Sequence, residues 1–398
     1  MAGQATSARP RRRALGAPSL ALREALRAFF VSRVLVWVSA TLAIWFVPFD
    51  GAQRSAHDVP SLTHPLGATL GALARWDAVW YLSIAQHGYG QGGGHAAFFP
   101  LYPLAVRAAA FGSASGGPLL LGSYAVSAAA LLACLVLLHR LVELELGIRF
   151  ARPVLMLVAL WPASFFFSAP YSESLFLALS VGMFYAARSE RWPLAAALCA
   201  LATAARPTGV LLVVPFAWMA WQAGRLRWLT LAPLGAAAFS AWLALSGQRP
   251  FGWAGIERDW GHEFKGPVAG VRDAVVAGVK GFGQVLDPHM ANRVVAGENA
   301  LYLVLLVLAA IALVGVFRRL PLAYGLYVLV SLLVIVSAPV AWQPLMSFGR
   351  LLAVLFPIAM WTALVLDGRR FALGVLLTAS SALLVVGTAL FATWHLVT

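Results

Sequence analysis

A chain of 398 residues that is 61% apolar and only 11% charged has too little polar surface for a water-soluble fold. Its mean hydropathy of +0.81, with apolar runs able to cross a hydrocarbon core of about 30 Å recurring along the length, predicts an all-α polytopic membrane protein. The net charge of +14 then reads as a topology signal and no nucleic-acid partner is expected, while two cysteines inside apolar runs, Cys134 and Cys199, exclude a disulfide framework.

The chain opens on a basic tail, 1–27, containing RPRRR at 9–13. The apolar stretch 29–48 that follows is longer than the roughly 7–15 residues of a signal-peptide core and reads as a retained first helix. A long hydrophilic segment, 49–116, comes next, carrying short helical patterns suited to the membrane interface. Apolar runs then lie near 117–138, 153–168, 174–187, 193–205, 208–222 and 228–246. After a second long segment, 247–299, they resume near 300–317, 320–337, 351–366 and 371–392. Residues 28–398 are thus expected to form one transmembrane domain with about eleven crossings. If every run crosses, Arg140, Arg149, Arg152, Arg188, Arg191, Arg225, Arg227, Arg318, Arg319, Arg369 and Arg370 share the side of the basic tail. The positive-inside rule makes that side cytoplasmic, so 49–116 and 247–299 face outward from the cell membrane. No repeat suggests two transporter halves.

Charged residues sit where the apolar pattern breaks. RWDAVWYLSIAQHGYGQGGGHAAFFPLY, 75–102, holds Asp77 just before a helical pattern. FFFSAPYSESLF, 165–176, turns at Pro170 and starts a helix at Glu173; TAARPTGV, 203–210, sets Arg206 before Pro207; PLMSFGRLL, 344–352, puts Arg350 at a helix start. By the charge rule all four point outward, and irregular backbone at membrane depth is tolerated where it lines a watery cavity. Arginines there suit an anionic lipid headgroup, which they bind through charge-assisted, often bidentate bonds. Each residue also has a plainer reading: Asp77 as a helix N-cap, Glu173 as a dipole partner, Arg206 and Arg350 as snorkelling side chains. His57, His64, His87, His95, His262 and His289 fall on the outer side without an H-x-x-x-H pair, so no metal site is expected. The glycines at 90 and 92–94 read as a flexible turn. No carboxylate lies mid-run, where an ion-coupled pump would place one.

RWDAVWYLSIAQHGYG with AAFFPLYPLAVR at 96–107, WPASFFFSAPYSESLF at 161–176, AARPTGV at 204–210 and SFGRLLAVLFP at 347–357 together resemble the PIG-V type mannosyltransferase family, whose eukaryotic members add the second mannose of the GPI anchor. The likeness runs in order from about residue 28 to 357. It implies a GT-C glycosyltransferase fold and, in place of a cofactor, a polyprenyl-phosphate-mannose donor; the need for a divalent ion stays open. It implies an essential acid in the first outward loop, here Asp77, with Arg75 and Trp76 beside it; a carboxylate there can act as general base, and the arginines at the helix breaks, Arg206 and Arg350 with Arg75 as a third, are expected to hold the donor phosphate. Trp76, Glu173, Tyr171, Tyr89 and His95 are the residues placed to support the site or touch sugar. The family pattern has a glutamate between the Gly-Tyr and the Ala-Phe-Phe-Pro, where this chain has GQGGGH and no acid. The implied reaction is inverting mannosyl transfer to an extracytoplasmic glycan, lipid or protein; the competing reading is a flippase or transporter of lipid-linked sugar.

The topology is open to direct test with cysteines introduced at Gly92 and Ser189. The first is expected to react with a membrane-impermeant thiol reagent in intact cells, and the second only after permeabilisation. The reverse pattern would move the site to the cytoplasm.

Overall fold

The structure, a computed structural model, describes residues 18–49, 65–90, 93–255, 260–287 and 293–395. The basic run at 9–13, His57, His64, Gly92 and His289 lie outside the described residues. Within them the chain is built from helices, with one isolated backbone bridge between His262 and Val340 and no strand.

Besides the short helices Pro65–Gly71 and Gly252–Gly255, the chain forms α1 (Pro18–Phe46), the short α2 (Asp77–His87) and α3 (Leu101–Ala109), α4 (Gly116–Glu145), α5 (Ala151–Ala159), α6 (Glu173–Arg188), α7 (Trp192–Ala205), α8 (Val213–Gln222) and α9 (Leu234–Leu245). They continue as α10 (Gly266–Val285), α11 (Arg293–Arg319), α12 (Leu322–Ser337), α13 (Phe348–Ala353), α14 (Phe356–Val365) and α15 (Arg370–Ala392). Five segments among the described residues are long and apolar enough to cross a membrane: Ser19–Phe46, Gly116–Glu145, Leu226–Leu245, Arg293–Arg319 and Arg370–Ala392. α7, α12 and α14 are shorter apolar helices. Exposed Val307, Ile311, Val375 and Val386 on α11 and α15 give these helices a surface matched to lipid rather than water.

Several of the apolar runs expected to be uninterrupted crossings are broken helices. The run 153–168 yields the nine-residue α5 and a 3₁₀ turn at Ser164–Phe167, separated by Pro162. The run 208–222 is a 3₁₀ turn, Pro207–Leu212, leading into α8. The first break follows from Pro162 and the turn before α8 opens on Pro207, each a residue that lacks the N–H needed to continue a helical ladder. Both halves stay apolar, so hydropathy alone reads straight through the break.

Two groups of ion pairs tie the bundle near helix ends. In one, the start of α1 meets the start of α5 through Arg152 and Glu24 at 3.7 Å, Arg188 at the end of α6 pairs with Glu145 at the end of α4, and Arg149 pairs with Asp367 at 2.9 Å. In the other, the starts of α2, α6 and α13 and the end of α7 come together and carry the ion pairs Arg206–Glu173 and Arg350–Asp77. Between the helices, packing relies on small residues. Ala195, Ala196, Cys199 and Ala202 form a fully buried seam on α7, as helices in lipid need in order to approach closely. After α7 the chain doubles back so tightly that a Cβ at Gly209 would lie 2.0 Å from the Ala202 carbonyl oxygen.

Gly209→Ala is therefore expected to lower stability by about 1–3 kcal/mol, because backbone must move to admit the methyl group. Gly90, whose added Cβ would meet nothing within 4 Å, is the control: Gly90→Ala should unfold at the wild-type temperature. Thermal unfolding in detergent reads both, and equal midpoints would refute the crowding at Gly209.

Candidate active site

Asp77 is held by a strained entry to its helix. The preceding residue, Trp76, has φ 55° and ψ −121°, a conformation that a non-glycine residue adopts only under constraint. Tyr171 clamps it from both sides: its hydroxyl donates to the Arg75 carbonyl at 3.0 Å and accepts from the Asp77 backbone N–H at 3.1 Å. Burial and the Asp77 carboxylate push Tyr171 well above the ordinary tyrosine range, so it remains a neutral donor. The end of α15 closes the other flank. Arg75 Nε donates to the Ala392 carbonyl at 3.1 Å, its guanidinium lies 5.0 Å from the Trp394 ring, and Trp76 packs edge-on against Trp394 at 5.6 Å. Asp77 is the first residue of α2 and its side chain makes no capping bond, so the capping role open to it in the sequence is not the one it plays.

Four charges from four segments meet here. Arg350 Nη1 donates to Asp77 Oδ2 at 2.6 Å, Arg350 Nε lies 3.6 Å from Glu173 Oε1, and Arg206 Nη1 donates to Glu173 Oε1 at 3.1 Å. Glu173 owes its place to the break at Pro170, Arg206 to its own extended backbone before Pro207, and Arg350 to a helix entered through Ser347 at φ 65°. The set alternates in sign and sums to zero, the arrangement that makes buried charge tolerable. Phe176 lies under the Arg206 guanidinium at 5.5 Å, and Phe166 and Tyr171 lie under that of Arg350 at 5.4 and 5.7 Å. These ring faces offset part of the desolvation.

Exposure separates the two acids. The Glu173 side chain is 2% exposed and that of Asp77 35%. Asp77, Arg206, Arg350 and Tyr171 line a cavity of about 360 Å³ whose remaining walls are aromatic at Trp80, Phe98, Trp253 and Trp260 and aliphatic at Val334, Ile335 and Leu351. Glu173 lies behind the arginines. Its Oε2, Arg206 Nε and Arg350 Nε are buried without a hydrogen-bond partner, leaving polar capacity unspent beside the cavity.

The structure thus brings Asp77, Arg206, Arg350, Trp76 and Tyr171 to one cavity, with Glu173 supporting them. It does not bring Arg75, Tyr89 or His95 there. Arg75 ties the loop to α15; Tyr89 donates to the Phe98 carbonyl at 2.6 Å and packs on Phe239 and Trp242; His95 lies beside Ser83, edge-on to Trp80. Sequence reasoning did not single out Thr208, Trp253 or Trp260 for the site. The only signal for the tryptophans was the richness of the long segment 247–299 in Trp and His. The supposed flexible glycine turn includes an ordered 3₁₀ turn, Gly93–Ala97.

The sequence model of the family described as Mannosyltransferase (PIG-V) matches residues 26–225, which includes Asp77, Glu173 and Arg206. Over 156 residues the chain is 40% identical to GPI alpha-1,6-mannosyltransferase 2 of Cricetulus griseus, covering 36% of this chain and 31% of that protein. The chain therefore spans about a third of that relative's length. No solved structure matches it.

Glu173→Gln keeps the shape of the side chain but leaves two buried arginines short of a carboxylate. A loss of about 3–5 kcal/mol is expected, the usual cost of removing one partner from a buried pair. Asp77→Asn, at the more exposed end, is expected to cost under about 1 kcal/mol. Thermal unfolding of both variants reads the difference, and a smaller loss at Glu173 than at Asp77 would reverse the assignment of which carboxylate holds the site together.

Proposed function

The chain belongs to the PIG-V mannosyltransferase family, and on that premise we propose that it is a membrane glycosyltransferase. It moves mannose from a polyprenyl-phosphate-mannose donor to an acceptor hydroxyl with inversion, on the extracytoplasmic face of the cell membrane, with Asp77 as general base. One observation carries the reading: Asp77 is the one carboxylate lining the cavity among the described residues, and it stands beside two arginines with unspent donors.

In the reaction the acceptor O–H gives its proton to Asp77 as its oxygen bonds to the anomeric carbon. The bond from that carbon to the phosphate oxygen breaks, and its electron pair leaves with the phosphate. The donor phosphodiester carries one negative charge and the departing lipid phosphate gains a second. Arg206 and Arg350 therefore attract the leaving group more strongly as charge develops, which is what lowers a barrier. Arg350 donates to Asp77, which masks the base. A phosphate competing for the planar guanidinium fork draws Arg350 away and frees the carboxylate, so donor binding prepares the base. Burial of Glu173 out of reach of the cavity argues against it as the base. A flippase would be expected to spread binding groups along the midplane. The described ion pairs instead gather near helix ends, which favours the transferase.

Asp77→Asn removes the proton acceptor and keeps the shape. Turnover, read as release of polyprenyl phosphate by purified protein, is expected to fall at least about a hundredfold while donor binding persists. Transfer at the wild-type rate by a folded Asp77→Asn protein would end the proposal.

A further inference from the structure

The polar pole of the cavity is accounted for by Asp77, Arg206 and Arg350, and the aliphatic flank at Val334, Ile335 and Leu351 matches a lipid tail. The aromatic wall is left without an occupant. It is a rigid construction rather than a scatter of interfacial rings. Trp80 stacks on Phe98 with ring centres 5.7 Å apart and planes at 10°, with His95 edge-on at 5.1 Å. The chain passes so close behind it that a Cβ at Gly94 would sit 2.9 Å from the indole. Trp253 is fixed by its indole N–H, which donates to Ser240 Oγ at 3.1 Å. Trp260 stands 6.5 Å from Trp80 and 5.6 Å from Phe98 and keeps 39% of its surface exposed. The segment after it is pinned: His262 Nδ1 is 2.8 Å from the Ala338 carbonyl, and the backbone N–H groups of Glu263 and Lys265 donate to the carbonyls of Pro339 and Ser337.

A wall of fixed aromatic faces without a charged side chain selects a flat, amphipathic, uncharged ligand. A pyranose ring fits, because its C–H face is apolar and its hydroxyls project at the rim. Position on the helix supplies the second argument. Trp80 follows Asp77 by three residues on α2, so the two side chains share a face about one turn apart, roughly 5 Å along the axis. That is close to the width of a sugar ring. A ring stacked at Trp80 presents a rim hydroxyl to the Asp77 carboxylate.

We infer that Trp80, Trp253 and Trp260 form a stacking subsite for a neutral saccharide ring of the acceptor, which holds it with a hydroxyl at Asp77. This rests on the proposed transfer reaction for its role, but the binding is measurable without turnover. The acceptor is then a glycan or glycolipid whose sugar end enters the cavity, rather than a peptide side chain or a phosphorylated headgroup.

The test uses full-length protein in nanodiscs and methyl α-mannoside as the probe, with glycerol as a polyol that has hydroxyls but no ring face. Saturation-transfer NMR is expected to show saturable binding of methyl α-mannoside to the ring-lined cavity and none of glycerol. Trp260→Ala, at the exposed rim, should raise the dissociation constant at least about tenfold, and Trp260→Phe should restore most of it, since a phenyl face still stacks. Absence of saturable binding, equal response to glycerol, or wild-type affinity in Trp260→Ala would overturn the subsite. Failure of the transferase reading would be visible elsewhere, as absence of polyprenyl phosphate release from wild-type protein, and would leave the binding result standing.

Discussion

A carboxylate sealed 98% out of solvent sets the terms for the cavity end of this protein. Glu173 cannot remain charged there without cations, and two arginines from distant segments supply them. Meeting that demand draws the end of α7 and the start of α13 against the start of α6. Arg350, once drawn in, has guanidinium surface left over and spends it on Asp77. The exposed acid is therefore positioned by the buried one, through a shared arginine, and the cavity forms around the chain of charges that results. The aromatic faces beneath both arginines belong to the same solution, since they replace water that a buried guanidinium would otherwise lose.

The backbone is bent to suit. Trp76 and Ser347 both hold positive φ angles immediately before the helices that carry Asp77 and Arg350. Such conformations persist where surroundings over-determine them. At Trp76 the surroundings are identifiable: the hydroxyl of Tyr171 on one side, and Trp394 with Arg75 on the other. Tyr171 thus holds the backbone at Asp77 while lining the cavity, and Arg75 holds it from the opposite flank.

Apolar runs and prolines were enough to locate most helices and the breaks that present Glu173, Arg206 and Arg350, because both signals are local. What escaped were relations across the chain. Arg75 and Arg350 look equally suited to a phosphate in one dimension; only the packing of α15 shows the first turned toward a carbonyl and the second toward Asp77. Glu173 and Asp77 are both acids at helix starts, and only burial separates them. Trp260 gave only the signal of a Trp- and His-rich segment, because its neighbours, Trp80 and Phe98, lie far away in sequence. The count of crossings blurred for a different reason: a proline break between two greasy halves leaves the hydropathy average unchanged.

Asp77 and Arg350 are 273 residues apart in the chain. During synthesis the loop that carries Asp77 is complete long before its cation exists, and Glu173 and Arg206 must settle together while one of the two arginines is still unmade. The cavity is therefore a late product of maturation, assembled only when α13 joins helices already in place. An intermediate stalled short of that step would have most of its spanning helices inserted and yet hold its acidic loop unpaired, a species that inspection of membrane integration alone would count as finished.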